Sequence, residues 1–148
     1  MKLDNCIEKT CCIYASDWHL AVMLLPFISE RLKEENEIFM EFEESIEDKI
    51  NQLLAKLKLK NEKEVRDISW NYKVGEEEYT GQNKIFIVSG SDDFIKKTNK
   101  KIEQFYNKRE GKVEIIDCFH ITENNSQKDF FDTAGFKSIL TTSGRKNM

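Results

Sequence analysis

The run K-I-F-I-V-S-G-S-D-D-F-I-K-K-T-N-K-K-I-E-Q-F-Y at residues 84–106 constrains the fold more than any other part of this chain. Ile85, Phe86, Ile87 and Val88 form an unbroken apolar stretch of β-branched and aromatic residues. Such a stretch suits a strand covered on both faces, as in a parallel sheet. Ser89, Gly90 and Ser91 break it with small residues that tolerate a tight turn. Asp92 and Asp93 then stand where a helix would begin, and carboxylates there complement exposed N–H groups and the helix dipole. Phe94, Ile95, Thr98, Ile102, Phe105 and Tyr106 share one face of that helix, while Lys96, Lys97, Lys100 and Lys101 take the other. A parallel strand needs a crossover to its neighbour, so the rest of the chain is expected to repeat this strand–turn–helix unit.

The repeats can be followed in order. Residues 11–15 predict a short strand, and Ser16 with Asp17 supplies capping chemistry for a buried helix over about 18–33, which Pro26 should kink or split. Residues 38–42 predict a second strand. Ser45 is placed to cap a helix with an apolar stripe at Ile46, Ile50, Leu53, Leu54 and Leu57, and Asp48 is placed for a capping-box contact. Residues 65–70 predict a third strand and 71–83 a long surface connection. Residues 113–119 predict the fifth strand, 127–133 a short helix, and 136–140 either a last strand or a helical turn. The expected fold class is α/β: three layers, with a mostly parallel five- or six-stranded sheet and helices on both faces. One domain spans 1–148, with 1–10 and 141–148 as loose ends.

Composition narrows the function. A chain of 148 residues buries roughly 70% of its unfolded surface without needing a staple. A formal net charge of −4 argues against nucleic acid as a partner, since neutralising phosphates needs a basic face. The apolar run at 20–25 is far too short to span a bilayer. Cys6, Cys11, Cys12 and Cys118 lack paired-ligand spacing and follow no signal peptide, so reduced thiols in the cytoplasm are expected. Cys11 and Cys12, adjacent in a strand, should point to opposite sides of it.

In open α/β sheets ligands settle beyond the carboxyl ends of the strands. The residues expected there are Ser16, Asp17, Trp18 and His19, then Glu43 with Glu44 and Ser45, then Trp70 with Asn71 and Tyr72, then Ser89, Gly90, Ser91, Asp92 and Asp93, and finally Phe119 and His120. Both tryptophans and both histidines of the chain fall in this set. Asp17, Glu43, Glu44, Asp92 and Asp93 could meet as a magnesium site, but each is better explained as a cap of its own helix, so no metal or other cofactor is expected. His19, His120 and Cys118 lack the spacing of a soft-metal site. The G-x-S-x-G elbow is absent, as are the P-loop and dinucleotide fingerprints. The Ser89–Ser91 turn precedes a helix N-terminus, which favours anions, yet Asp92 and Asp93 would repel a phosphate there.

Residues 12–16 (C-I-Y-A-S), 20–28 (L-A-V-M-L-L-P-F-I) and 37–40 (E-I-F-M) together resemble the opening of the MEDS sensory domains, the methanogen/methylotroph DcmR-type modules. The likeness covers about the first third of the chain. Arg31 stands where that family tends to have glycine, and His19 follows the first strand where the family's histidine precedes it. The resemblance implies a RecA-like α/β sheet without a phosphate loop, serving as a sensing module on a regulator without catalysis of its own. The expected function is therefore a small cytoplasmic sensory or regulatory module that binds a small ligand or a regulatory protein at the strand ends, with self-association open. The competing expectation is an enzyme on the same scaffold, with Asp17, His19, Glu43 and Asp92 as acid–base or metal residues.

Overall fold

The computed structural model describes residues 7–68, 83–106, 112–120 and 136–147. The elements run β1 (Ile7–Tyr14), α1 (Asp17–Lys33), β2 (Glu37–Phe42), α2 (Glu47–Lys56), α3 (Glu62–Arg66), β3 (Lys84–Ser89), α4 (Asp92–Tyr106), β4 (Val113–His120), β5 (Ser138–Thr141) and β6 (Gly144–Asn147). They build a six-stranded sheet in the order β2-β3-β4-β1-β5-β6. Each pairing from β2 to β5 is parallel, and only β6 runs antiparallel to its neighbour.

Side-chain alternation divides the sheet residues between two cores. Cys12, Ile85, Ile87, Ile116 and Cys118 pack with residues of α1, α2 and α3 on one face. Cys11, Phe86, Val88, Ile115 and Phe119 pack with Ile95, Ile102 and Tyr106 of α4 on the other. The domain is thus a three-layer α/β structure, as the apolar stretch in β3 demands: all six residues of that strand are buried. Cys11 and Cys12 do part to opposite faces. α1 carries the chain from β1 past β4 and β3 to the far edge, whereas α4 carries it back by one position from β3 to β4. Crossovers of one hand travelling in opposite directions place their helices on opposite faces, which accounts for the two sides taken by α1 and α4. On α4 the buried face is Ile95, Thr98, Asn99, Ile102 and Tyr106, with Phe94 and Phe105 partly covered and the four lysines exposed.

Several sequence expectations need correction. The first strand begins at Ile7, so residues 7–10 are not a loose lead-in; they pair with Val113 to Ile116 of β4. Their polar side chains hid them, but each finds a partner: Lys9 lies 3.7 Å from Glu103, and the Thr10 hydroxyl is 2.6 Å from Ser138 Oγ. Residues 65–66 are helical. Val65 is buried in the core beneath α1. Asn61 holds the start of this short helix to α1, accepting from Ser29 Oγ and donating Nδ2 to the Ser29 carbonyl, both at 2.9 Å. Ser69 and Trp70, the end of that expected strand, lie outside the described residues, as do residues 71–82 and the expected helix at 127–133. The tail is not loose either, because β5 and β6 form a hairpin. Thr141 Oγ1 accepts the Ser143 N–H at 3.1 Å and donates to the Gly144 carbonyl at 3.2 Å. Gly144 takes a φ of 103°, which L side chains rarely adopt. Pro26 leaves α1 in one piece. Pro26 and Val22, one turn before it, are both exposed, so the carbonyl left without a helical donor lies on the solvent side. Ser45 accepts the Glu47 N–H at 3.1 Å from just outside α2, whose cap position is Ile46 with no side-chain bond.

Candidate functional site

The carboxyl ends of β1, β2, β3 and β4 open onto one cleft of about 260 Å³, lined by Tyr14, Asp17, Leu20, Glu43, Glu44, Ile46, Ser89, Gly90, Ser91 and His120. Leu20 and Ile46 are buried and give it apolar walls. Cavities for drug-sized ligands run from roughly 300 Å³ upwards, so this one suits a small metabolite.

The cleft rests on three tight joints. In the first, Glu43 spans from β2 to the turn after β3. Its N–H donates to the Ser89 carbonyl at 2.9 Å, and its Oε1 accepts the Ser91 N–H at 2.8 Å. Ser91 in turn caps α4, its Oγ accepting the Phe94 N–H at 3.2 Å and its carbonyl the Ile95 N–H at 3.0 Å. Gly90 sits in the crook of this joint. A Cβ there would lie 2.7 Å from Phe94 Cδ2, 2.8 Å from Glu43 Cβ and 2.8 Å from Glu43 Oε1. The resident acid at the N-terminus of α4 is therefore Glu43, with Asp92 and Asp93 behind it in the first turn. A carboxylate occupies the donor that an incoming anion would need.

In the second joint, two histidines hold Ala15, the residue that turns the chain from β1 into α1. The Ala15 N–H donates to His19 Nδ1 at 2.9 Å, and the Ala15 carbonyl lies 3.0 Å from His120 Nε2. An N–H can only donate and a carbonyl only accept, so His19 Nδ1 is unprotonated and His120 Nε2 carries a hydrogen. Ser16 completes the turn as the cap of α1, accepting the His19 N–H at 3.1 Å. In the third joint, the Tyr14 hydroxyl lies 3.2 Å from Ser89 Oγ, and its ring meets the His120 ring edge-on at 5.2 Å between centroids. Burial pushes the Tyr14 phenol above its ordinary range, although the Ser89 bond opposes this. Tyr14 therefore serves as a neutral hydrogen-bonding group.

Of the residues expected at the strand ends, the structure brings Asp17, Glu43, Glu44, Ser89, Gly90, Ser91 and His120 to the cleft wall. Ser16 and His19 stand behind it as supports of the β1–α1 turn. Trp18 points away, 42% exposed, with its ring 5.9 Å from Lys49 Nζ. Asp92 belongs to the first turn of α4 and does not line the cleft. Trp70 and Tyr72 lie outside the described residues. Sequence reasoning missed Tyr14, Leu20 and Ile46. Tyr14 was recoverable, since it ends β1 on the same face as Cys12 and the small Ser89 leaves space opposite it.

Asp17 stands 3.8 Å from Lys49 across the rim. Among the described residues no group of three or more His, Cys, Asp or Glu gathers as a metal site. Cys11, Cys12 and Cys118 are buried free thiols, and Cys12 and Cys118 face each other in register across β1 and β4. Burial raises the Cys118 thiol well above its ordinary value and the Cys11 thiol to about 11, so neither is a nucleophile. Among the described residues no helix is long and apolar enough to cross a membrane.

The fold and cleft define a three-layer, mostly parallel α/β domain with an acidic-walled pocket at its strand ends. Compared with family models, curated proteins and solved structures, the chain matches none.

Proposed function

We propose that the protein is a small-ligand-binding module of the sensory or regulatory kind, acting without catalysis of its own, and that its ligand occupies the strand-end cleft. The observation that carries this is the state of the polar groups around the cleft. Glu43, Ser91, His19, His120, Tyr14 and Asp17 are each already held by a named partner in the protein. Groups committed in this way shape a pocket and orient a guest. Asp17, Glu43 and Glu44 disfavour anions, so the ligand is neutral or cationic, small, and in part apolar to match Leu20 and Ile46. The free thiols of Cys11, Cys12 and Cys118 fit a reducing cytoplasm. A sensing role agrees with what the opening third of the chain resembles.

Thermal shift and tryptophan fluorescence against a panel of amines, polyols, nucleosides and their phosphorylated counterparts test the proposal. The expected result is stabilisation by an unphosphorylated compound that is lost in Ser89→Val, which blocks the cleft. The proposal fails if binding survives Ser89→Val, or if the bound compound is chemically transformed and Glu43→Gln stops the transformation while leaving affinity intact. The second outcome would make the protein an enzyme on this scaffold.

A further inference from the structure

The second core, between the sheet and α4, contains one acid that no part of the cleft uses. Asp117 stands on β4, fully shielded from solvent, and Asn99 of α4 reaches down to it. Both hydrogens of the Asn99 amide are spent: Nδ2 donates to Asp117 Oδ1 at 2.8 Å and to the Ile95 carbonyl at 2.9 Å. This fixes the amide orientation, because a flipped amide would set its oxygen against two acceptors. What remains is two acceptors with nothing to accept. Asp117 Oδ2 and Asn99 Oδ1 are both buried and have no hydrogen-bond partner among the described residues. An ionised Asp117 would therefore hold a buried charge on a single hydrogen bond, an arrangement that proteins avoid by neutralising the group.

We propose that Asp117 and Asn99 form a proton-operated clasp between β4 and α4. With one proton on Asp117 Oδ2, rotation about the soft χ2 of that side chain closes a second bond to Asn99 Oδ1, and acid and amide bind each other reciprocally. Loss of the proton opens that bond and leaves a charge under α4, which loosens the helix. Because Ser91 caps α4 and gives its N–H to Glu43, loosening reaches the rim. The clasp stands whether or not a ligand binds the cleft.

The surroundings favour the neutral acid. From β1 the facing groups are Lys9 and Cys11, the latter Asp117's register partner. From α4 they are Asn99 and Glu103, and Lys9 is already paired with Glu103 at 3.7 Å. From β3 the register partner is Val88, and Ile115 and Phe119 flank Asp117 on its own strand. Burial raises the Asp117 carboxyl from 3.8 to about 7, with the Asn99 bond and Lys9 opposing this and Glu103 adding to it. The unfolded chain is ionised above its own value while the folded chain still holds the proton. Stability from this group is thus fully present at acid pH, falls as pH rises through the window from 3.8 to about 7, and levels off above it.

Wild-type protein labelled with ¹³Cγ aspartate, titrated by NMR, tests the first half: one aspartate carboxyl should titrate near neutrality, well above the rest, and that resonance should be missing in Asp117→Asn. Hydrogen exchange tests the second half. Protection of the α4 amides should fall about tenfold or more between pH 5.5 and 8.5, beyond intrinsic exchange acceleration, and this excess should vanish in Asp117→Asn. If every aspartate in the wild type titrates in the ordinary carboxylate range, no clasp exists. An α4 protection that tracks intrinsic exchange alone would equally overturn the coupling to the helix. The wild-type titration decides the first point even if Asp117→Asn fails to fold.

Discussion

Replacing Gly90 by alanine tests whether the ends of β2 and β3 meet the start of α4 as tightly as described. The glycine is not there for backbone freedom, since Gly144 is the described glycine with a positive φ. It is there for space. An added methyl would sit 2.8 Å from Glu43 Cβ and 2.7 Å from Phe94 Cδ2, and real Cβ contacts are essentially never under 3.0 Å. The Phe94 ring can swing, but Glu43 Cβ is rooted in the backbone that follows β2, so the β3–α4 turn has to move. Overpacking of this kind costs about 1–3 kcal/mol. Movement also stretches the Ser91 N–H bond to a charged acceptor, and such bonds are worth about 1.5–3 kcal/mol. The two losses overlap, so a total of about 2–4 kcal/mol is expected. Urea unfolding followed by circular dichroism reads this as a lower midpoint at unchanged m-value. In a Glu43→Ala background the hydrogen bond and the Oε1 overlap are already gone, and the same substitution should cost about half as much. If Gly90→Ala stays within about 0.5 kcal/mol of wild type, the joint is looser than the distances imply and the cleft is not preformed.

Three further predictions follow from other joints. In a Cys6→Ser background, the native protein should react with a thiol reagent only as fast as it unfolds, because the other three cysteines are buried; rapid labelling in the folded state would contradict their burial. Lys84, 1% exposed, reaches Glu37 at 3.0 Å and lies 5.3 Å from the Phe39 ring centroid, so Lys84→Ala should destabilise by about 3 kcal/mol in urea and Lys84→Met should recover part of it; a loss below about 1 kcal/mol would show that the pair is solvated. Tyr14 ionises in the unfolded chain near 10 and higher in the folded one, so stability should decline as pH rises above 10. Tyr14→Phe should flatten that decline and cost about 1 kcal/mol at neutral pH through the lost Ser89 bond; an unchanged alkaline slope would assign it to another group.

The fold class was legible because β3 announces itself. Four consecutive β-branched or aromatic residues admit few environments besides a doubly covered strand, and the amphipathic α4 follows at once. The ends of the chain misled for the opposite reason. Residues 7–10 read as polar because Lys9 and Thr10 satisfy themselves through Glu103 and Ser138, more than ninety positions away, and a window along the sequence does not see such partners. Val65 and Ile68 look like a strand, yet Asn61 fixes that segment as helix through two bonds to Ser29 of α1. At the cleft, strand-end logic found the loops but not their order. It did not foresee that β2 and β3 are neighbours, and so it read Glu43 as a cap for α2 when its carboxylate crosses to α4. Trp18 failed for a local reason: two residues beyond the cap, helical geometry turns its side chain outward onto Lys49.

The carboxylate of Glu43 at the head of α4 also bears on how a scaffold like this changes occupation over time. Helix beginnings beside a glycine turn are natural seats for phosphate, and here the seat is taken by the protein's own side chain. Exchanging that one glutamate for a small residue would vacate it without disturbing a buried strand. With Asp92 and Asp93 still in the first turn of α4, such a change would free the Ser91 N–H without by itself making the turn hospitable to phosphate.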